Sequence, residues 1–101
     1  MKIRTEFIID LQTTRDEELY MKKVHDIVDE IIPEDFRISG RNLRIEYIPT
    51  RRRNLVAFTW NIPESVGKGK EKPYLDSMAS SIRGTKWLRR HNVNNIAHIY
   101  M

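Results

Sequence analysis

Three consecutive arginines, Arg51, Arg52 and Arg53, stand in the polar segment Pro49-Thr50-Arg51-Arg52-Arg53-Asn54. Three adjacent guanidiniums cannot all find partners among their neighbours, and each offers a planar fork of donors that fits phosphate or carboxylate oxygens two at a time. The competing reading is a solvated loop whose charges keep a strand edge from aggregating. Loops, however, are where binding residues concentrate. A second cationic group follows at Lys86, Arg89 and Arg90, whose i, i+3, i+4 spacing puts them on one face of a helical turn with Arg83 nearby. Trp87 and His91 lie one i, i+4 step apart beside them. Cations interleaved with an aromatic suit a phosphodiester backbone with an occasional stacked base, although a large aromatic more often serves the core. Asn92, Asn94 and Asn95 can contact bases or phosphates and are equally good turn formers.

The third basic run, Gly67-Lys68-Gly69-Lys70-Glu71-Lys72, has neither the spacing nor the terminal Ser or Thr of a phosphate-cradling Walker motif. Lys68, Lys70 and Lys72 therefore read as a loop that follows a polyanion without specificity, or as an ordinary linker. Other chemistry is sparsely supplied. The chain has no Cys, hence no thiolate nucleophile, disulfide or Cys-based zinc site. His91 and His98 are separated by a spacing typical of no metal site, and His25 belongs to another segment, so neither a metal nor a cofactor is expected. A metal-independent ribonuclease would need a base, an acid and cations around the scissile phosphate; His91, His98, Glu46 and Arg52 are the residues available for it.

The net charge of +4 conceals a division. Residues 1–35 carry 5 basic and 10 acidic side chains, whereas residues 36–101 carry 13 basic and 4 acidic. An acidic third joined to a basic remainder points to a polyanion or to an acidic or basic partner. At 101 residues, 40% apolar and 32% charged, a single folded domain spanning 1–101 is expected. No stretch approaches the ~18 apolar residues of a membrane span. Residues Met1 to Glu6 have no apolar signal region, so a cytoplasmic protein without membrane contact is expected.

The elements that must position these charges follow from periodicity. Ile3, Thr5, Phe7, Ile9 and Leu11 alternate with polar residues and predict a strand. Thr14 and Glu17 form a capping box, and Tyr20, Val24, Ile27, Val28 and Ile31 make the apolar stripe of a helix that Pro33 ends. Phe36-Arg37-Ile38 reads as a short strand before a turn at Ser39-Gly40-Arg41-Asn42. Leu43, Ile45 and Tyr47 alternate as a strand, and the segment from Leu55 to Ile62 is the strongest strand in the chain. Pro63 to Lys72 reads as a flexible connection, Pro73 as a helix start, and Leu75, Met78, Ala79 and Ile82 as the helix's apolar face. Gly84 should break that helix before a separate turn carrying Trp87 and Leu88; residues 92–95 read as a loop and 96–101 as a closing strand.

The resulting βαββαβ order, α+β in class, resembles the ferredoxin-like arrangement, which implies two helices on one face of an antiparallel sheet. An α+β roll with other connections and an extra hairpin near Gly40 is the alternative. RNA-recognition domains share this order and stack bases on outward aromatics. Here Phe58 and Trp60 share a face with Val56 and Ile62 and should point inward, leaving Leu55, Ala57, Thr59 and Asn61 outward. In the resembled arrangement the Arg loop, residues 12–14 and the segment from Gly84 to Asn95 emerge at one end of the sheet, and the lysine loop at the other. The leading expectation is a small non-enzymatic binder of DNA or RNA using Arg51, Arg52, Arg53, Arg83, Lys86, Arg89 and Arg90, with Lys68, Lys70 and Lys72 as a weaker contact. The second is a protein-interaction or inhibitory accessory module of phage or mobile-element type. Its acidic helix, 15–35, would meet a basic partner or the basic end of a neighbouring copy. The ribonuclease is third.

Overall fold

Alternation places Ile3, Thr5, Phe7 and Ile9 on one side of β1 (Lys2–Ile9), where all four are buried. The structure is a computed structural model that describes residues 1–11, 17–39 and 42–101, the side chain of Glu17 excepted. The expected capping box at Thr14 lies outside the described residues. The helix α1 (Glu17–Ile31) buries Val24, Ile27 and Val28 on the predicted stripe.

Beyond Pro33 the expected strand at Phe36 to Ile38 is absent. Glu34–Phe36 form a single 3-10 turn instead. Two side chains explain the difference. The Phe36 ring stacks on Trp60 with centroids 6.3 Å apart and meets Tyr74 at 5.3 Å. The Arg37 guanidinium turns back to donate to the Ile32 and Asp29 carbonyls, at 3.1 and 2.7 Å, serving orphan acceptors at the end of α1. These contacts hold the turn in place, and the Phe36 and Arg37 amides donate within it to the Pro33 and Glu34 carbonyls, at 2.8 and 3.2 Å, and so are not offered to a strand.

β2 (Arg44–Ile48) and β3 (Arg53–Asn61) form a hairpin in which Ile48 pairs with Arg53 and Tyr47 with Asn54. The strand thus takes in Arg53 and Asn54, which composition assigns to the loop. A second 3-10 turn (Glu64–Val66) interrupts the connection to α2 (Lys72–Gly84). Thr85 then adopts an extended backbone, and α3 (Lys86–Arg90) follows as a separate piece. The helical layer therefore holds three helices where the resemblance implies two. β4 (Asn94–Tyr100) begins inside the expected asparagine loop.

The sheet order is β2-β3-β1-β4, and every neighbouring pair is antiparallel. The chain is thus α+β, a four-stranded antiparallel sheet with three helices. One core cluster joins Ile3, Phe7 and Ile9 of β1, Val56, Phe58 and Trp60 of β3, Val24 and Val28 of α1, Met78 and Ile82 of α2, and Leu88 of α3. Since Ile3 pairs with Trp60 and Phe7 with Val56, one face of the sheet meets all three helices. Each fully buried aliphatic or Phe side chain stabilises by about 1.5–3 kcal/mol before entropy is counted. That shared face orients the loops at both ends of the strands.

Candidate functional site

The end of the sheet where β1 finishes collects three connections. Ile9 pairs with Asn54 and Ile8 with Asn94, so the β2–β3 loop, the end of β1 and the start of β4 lie side by side. Asp10 ties them together. Its backbone N–H donates to the His91 carbonyl at 2.7 Å, one carboxylate oxygen accepts from Asn92 Nδ2 at 3.0 Å, and the other meets Arg53 Nε at 3.2 Å. The carboxylate thus joins the arginine loop to the turn that ends α3. Asp10 is a residue that sequence reasoning missed, because a lone acid at the end of a strand carries no signal until the fold brings its partners across the sheet.

Around this hub the cations divide into two kinds. Arg83 lies in the last turn of α2, and Arg89 and Arg90 in the last turn of α3. There a positive charge is favourable to the helix for its own sake, because the helix C-terminus carries partial negative charge. Arg51 and Arg52 have no such reason. Both are exposed, and neither has an ion-pair partner among the described residues. The hairpin loop is closed by hydrogen bonds from the Arg51 and Arg52 amides to the Ile48 and Pro49 carbonyls. Closure forces Arg52 to φ 51°, a left-handed conformation where Gly or Asn is the economical residue. Asn92 and Asn95, both at φ 54°, sit at the same end.

The aromatic component is more enclosed than spacing implies. His91 lies over Trp87 with ring centroids 4.1 Å apart, its Nδ1 is 2.7 Å from the Trp87 carbonyl oxygen, and Tyr20 of α1 packs 6.1 Å from both rings. Trp87 therefore braces α3 against α1, and Lys86, Arg89 and Arg90 remain exposed around it.

Lys68, Lys70 and Lys72 are at the opposite end, beyond the Asn61 end of β3. Lys72 is already engaged with Asp76 at 3.2 Å. That loop is shaped by Gly67 and Gly69, at φ 87° and 85°. Glu71 accepts from the Gly69 amide at 2.9 Å, and this bond together with its own amide holds the Glu71 carboxyl below its ordinary value. Two of the three basic clusters therefore share one end of the sheet, and the lysines do not join them.

The ribonuclease set is dispersed. Glu46 belongs to β2 and His98 to β4, the two outer strands, and His91 is occupied with Trp87. His98 faces inward, its Nδ1 2.9 Å from Thr5 Oγ1, which also accepts from Trp60 Nε1 at 2.7 Å. Burial holds this imidazole below its ordinary value, against the opposing pull of a hydrogen bond to the Leu75 backbone. Among the described residues no three His, Asp or Glu side chains gather in a way that would hold a metal.

The face of the sheet away from the helices offers no aromatic platform. Ala57 and Thr59 lie on it as expected, yet they are nearly fully buried under a hollow of about 160 Å³ lined also by Arg4, Asn42 and Arg44. Arg4 is paired with Glu6 at 3.1 Å. Among the described residues no helix is long and apolar enough to cross a membrane. No protein-family model, curated protein or solved structure matches the chain.

Proposed function

We propose that the protein binds the phosphate backbone of DNA or RNA with the Asp10 end of its sheet. The observation that carries this reading is the meeting at Asp10 of two segments far apart in sequence, the arginine loop through Arg53 and the turn that follows the basic helix α3 through His91 and Asn92. Arg51, Arg52 and Arg53 with Arg83, Lys86, Arg89 and Arg90 form the contact surface; Lys68, Lys70 and Lys72 form a weaker and separate one. The retention of Arg52 in a left-handed position supports the same reading, because the side chain stays at a local backbone cost. The absence of an aromatic platform favours contacts to phosphate over contacts to bases. The antiparallel pairing and the packing of the helices against one face of the sheet support the finer reading of the fold as the ferredoxin-like arrangement.

The test is a salt-dependent titration on single-stranded and duplex DNA and RNA. Neutralising ~4 to 6 phosphates gives a slope of log affinity against log salt of roughly −3 to −5. A chain that retains none of these polymers at low salt overturns the proposal and leaves the protein-interaction reading. In that case reversing Asp26, Asp29 and Glu30 should disturb capture of a protein more than removing the arginines does.

A further inference from the structure

The sheet has two outer strands, and they are protected very differently. β2 carries Arg44 and Glu46 and runs into Pro49. Charges and proline are the usual devices that stop an edge from pairing with another chain. β4 has neither: from Val93 to Met101 there is no Lys, Arg, Asp, Glu or Pro, and its irregularity, a register shift with Asn95 at φ 54°, precedes the regular stretch from Ala97. In a chain where 32% of residues are charged, this neutral run lies on an open edge, with Ile99 44% and Tyr100 57% exposed.

The direction of the free backbone groups can be read from the pairing. The Met101 amide donates to the Lys2 carbonyl, and the register places Tyr100 opposite Ile3 and His98 opposite Thr5. In an antiparallel ladder the residues that bond the neighbour alternate with residues whose N–H and C=O point away. Ala97, Ile99 and Met101 therefore bond β1, whereas His98 and Tyr100 present donors and acceptors to the free edge; before Ala97 the register shifts, opposite the stretch between Glu6 and Ile8. A second copy related by a two-fold axis meets this row with His98 opposite Tyr100 and Tyr100 opposite His98, a register that uses every free donor and acceptor of both residues. On the other face Ile99 then stands beside Ile99 of the second copy. No like charges are opposed, although each copy carries a net charge of +4.

We propose that two copies of this chain pair antiparallel through β4, forming a continuous eight-stranded sheet about a two-fold axis at Ile99. The occupant is argued from self-complementarity, since an isologous contact requires one surface to match itself. Antiparallel pairing points the two Asp10 ends in opposite directions, so the dimer presents them to separate stretches of a polyanion. The pairing itself does not depend on nucleic acid.

Sedimentation of the nucleic-acid-free protein across a concentration series tests it. The native chain is expected to sediment as a dimer, and Tyr100→Pro as a monomer with an unchanged circular dichroism spectrum, because Tyr100 gives no hydrogen bond to β1. Ile99→Lys, which leaves the backbone intact and sets two like charges side by side at the axis, is expected to lower the dimer fraction in the same way. The register is read by Ile99→Cys: a chain with no other cysteine should give a disulfide-linked dimer on mild oxidation. A monomer at every concentration overturns the proposal. So does a dimer that survives both Tyr100→Pro and Ile99→Lys, or an Ile99→Cys chain that forms no cross-link.

Discussion

The two ends of the sheet solve the same backbone problem with different residues. In the lysine loop, positive φ is assigned to Gly67 and Gly69, which bear no side chain to strain and none to offer; Asn42, at φ 48° before β2, is the other such residue at that end. At the Asp10 end it falls to Arg52, Asn92 and Asn95. A glycine would serve all three positions more cheaply. The difference teaches that lysine-loop geometry needs no explanation beyond chain reversal, whereas the arginine loop keeps a guanidinium at a cost of roughly 1–2 kcal/mol in backbone conformation. Charge alone would not have separated the two, since each loop carries three cations.

The strongest way to break this comparison is to remove the cations of each end in turn. Replacing Arg51, Arg52 and Arg53 by Ala is expected to flatten the salt slope by about 2 to 3 units, near 0.9 per lost phosphate contact on duplex DNA. Replacing Lys68, Lys70 and Lys72 is expected to change it by less than about 1 unit. Equal losses would erase the distinction.

Stability separates the ends in the opposite sense. Arg52→Gly is expected to stabilise the fold by about 0.5–1 kcal/mol in urea denaturation while weakening the polyanion contact. Gly69→Ala, with open space around it but φ 85°, is expected to destabilise by about 1 kcal/mol and leave binding unchanged. A smaller effect belongs to Asp10→Asn, which can keep the contact with Asn92 and loses the ion pair with Arg53. This pair is partly exposed, so the stability loss should stay below about 1 kcal/mol. Affinity at low salt should rise about two- to fivefold as repulsion is removed, an effect of about 0.5–1 kcal/mol.

The smallest expected effect is on pH dependence. His98 is held below its ordinary value of 6.5, so the unfolded chain takes up a proton on it more readily than the folded one. Its contribution is full above pH 6.5 and is lost as pH falls toward the lower folded value; thermal melts between pH 8 and 5 should show this, and His98→Gln should flatten the curve. Glu71 acts in a more acidic window, its contribution present above the ordinary value of 4.5 and lost as pH falls through the lowered folded one.

Much of this was legible in the residues. The stripe Val24, Ile27, Val28 and the alternation of Ile3, Thr5, Phe7 predict their elements because burial follows helical and strand periods. Gly84 before Thr85 marks the break between α2 and α3. Phe36 and Arg37 misled, since β-like residue types say nothing of a ring that stacks on Trp60 or a guanidinium that returns to α1. Thr5 reads as an ordinary strand residue, and only the pairing of three strands makes it the shared partner of Trp60 and His98.

By itself the sequence determined the main helices and strands, Phe36 to Ile38 excepted, which of their faces are apolar and where the charge lies, because these depend on neighbours within a few residues. Only the tertiary structure decided that Asp10 meets both Arg53 and Asn92, that the lysines stand at the far end, and that the neutral strand β4 is an edge. Those are pairings across the sheet. They follow from which strands share the core, and no local spacing encodes that choice.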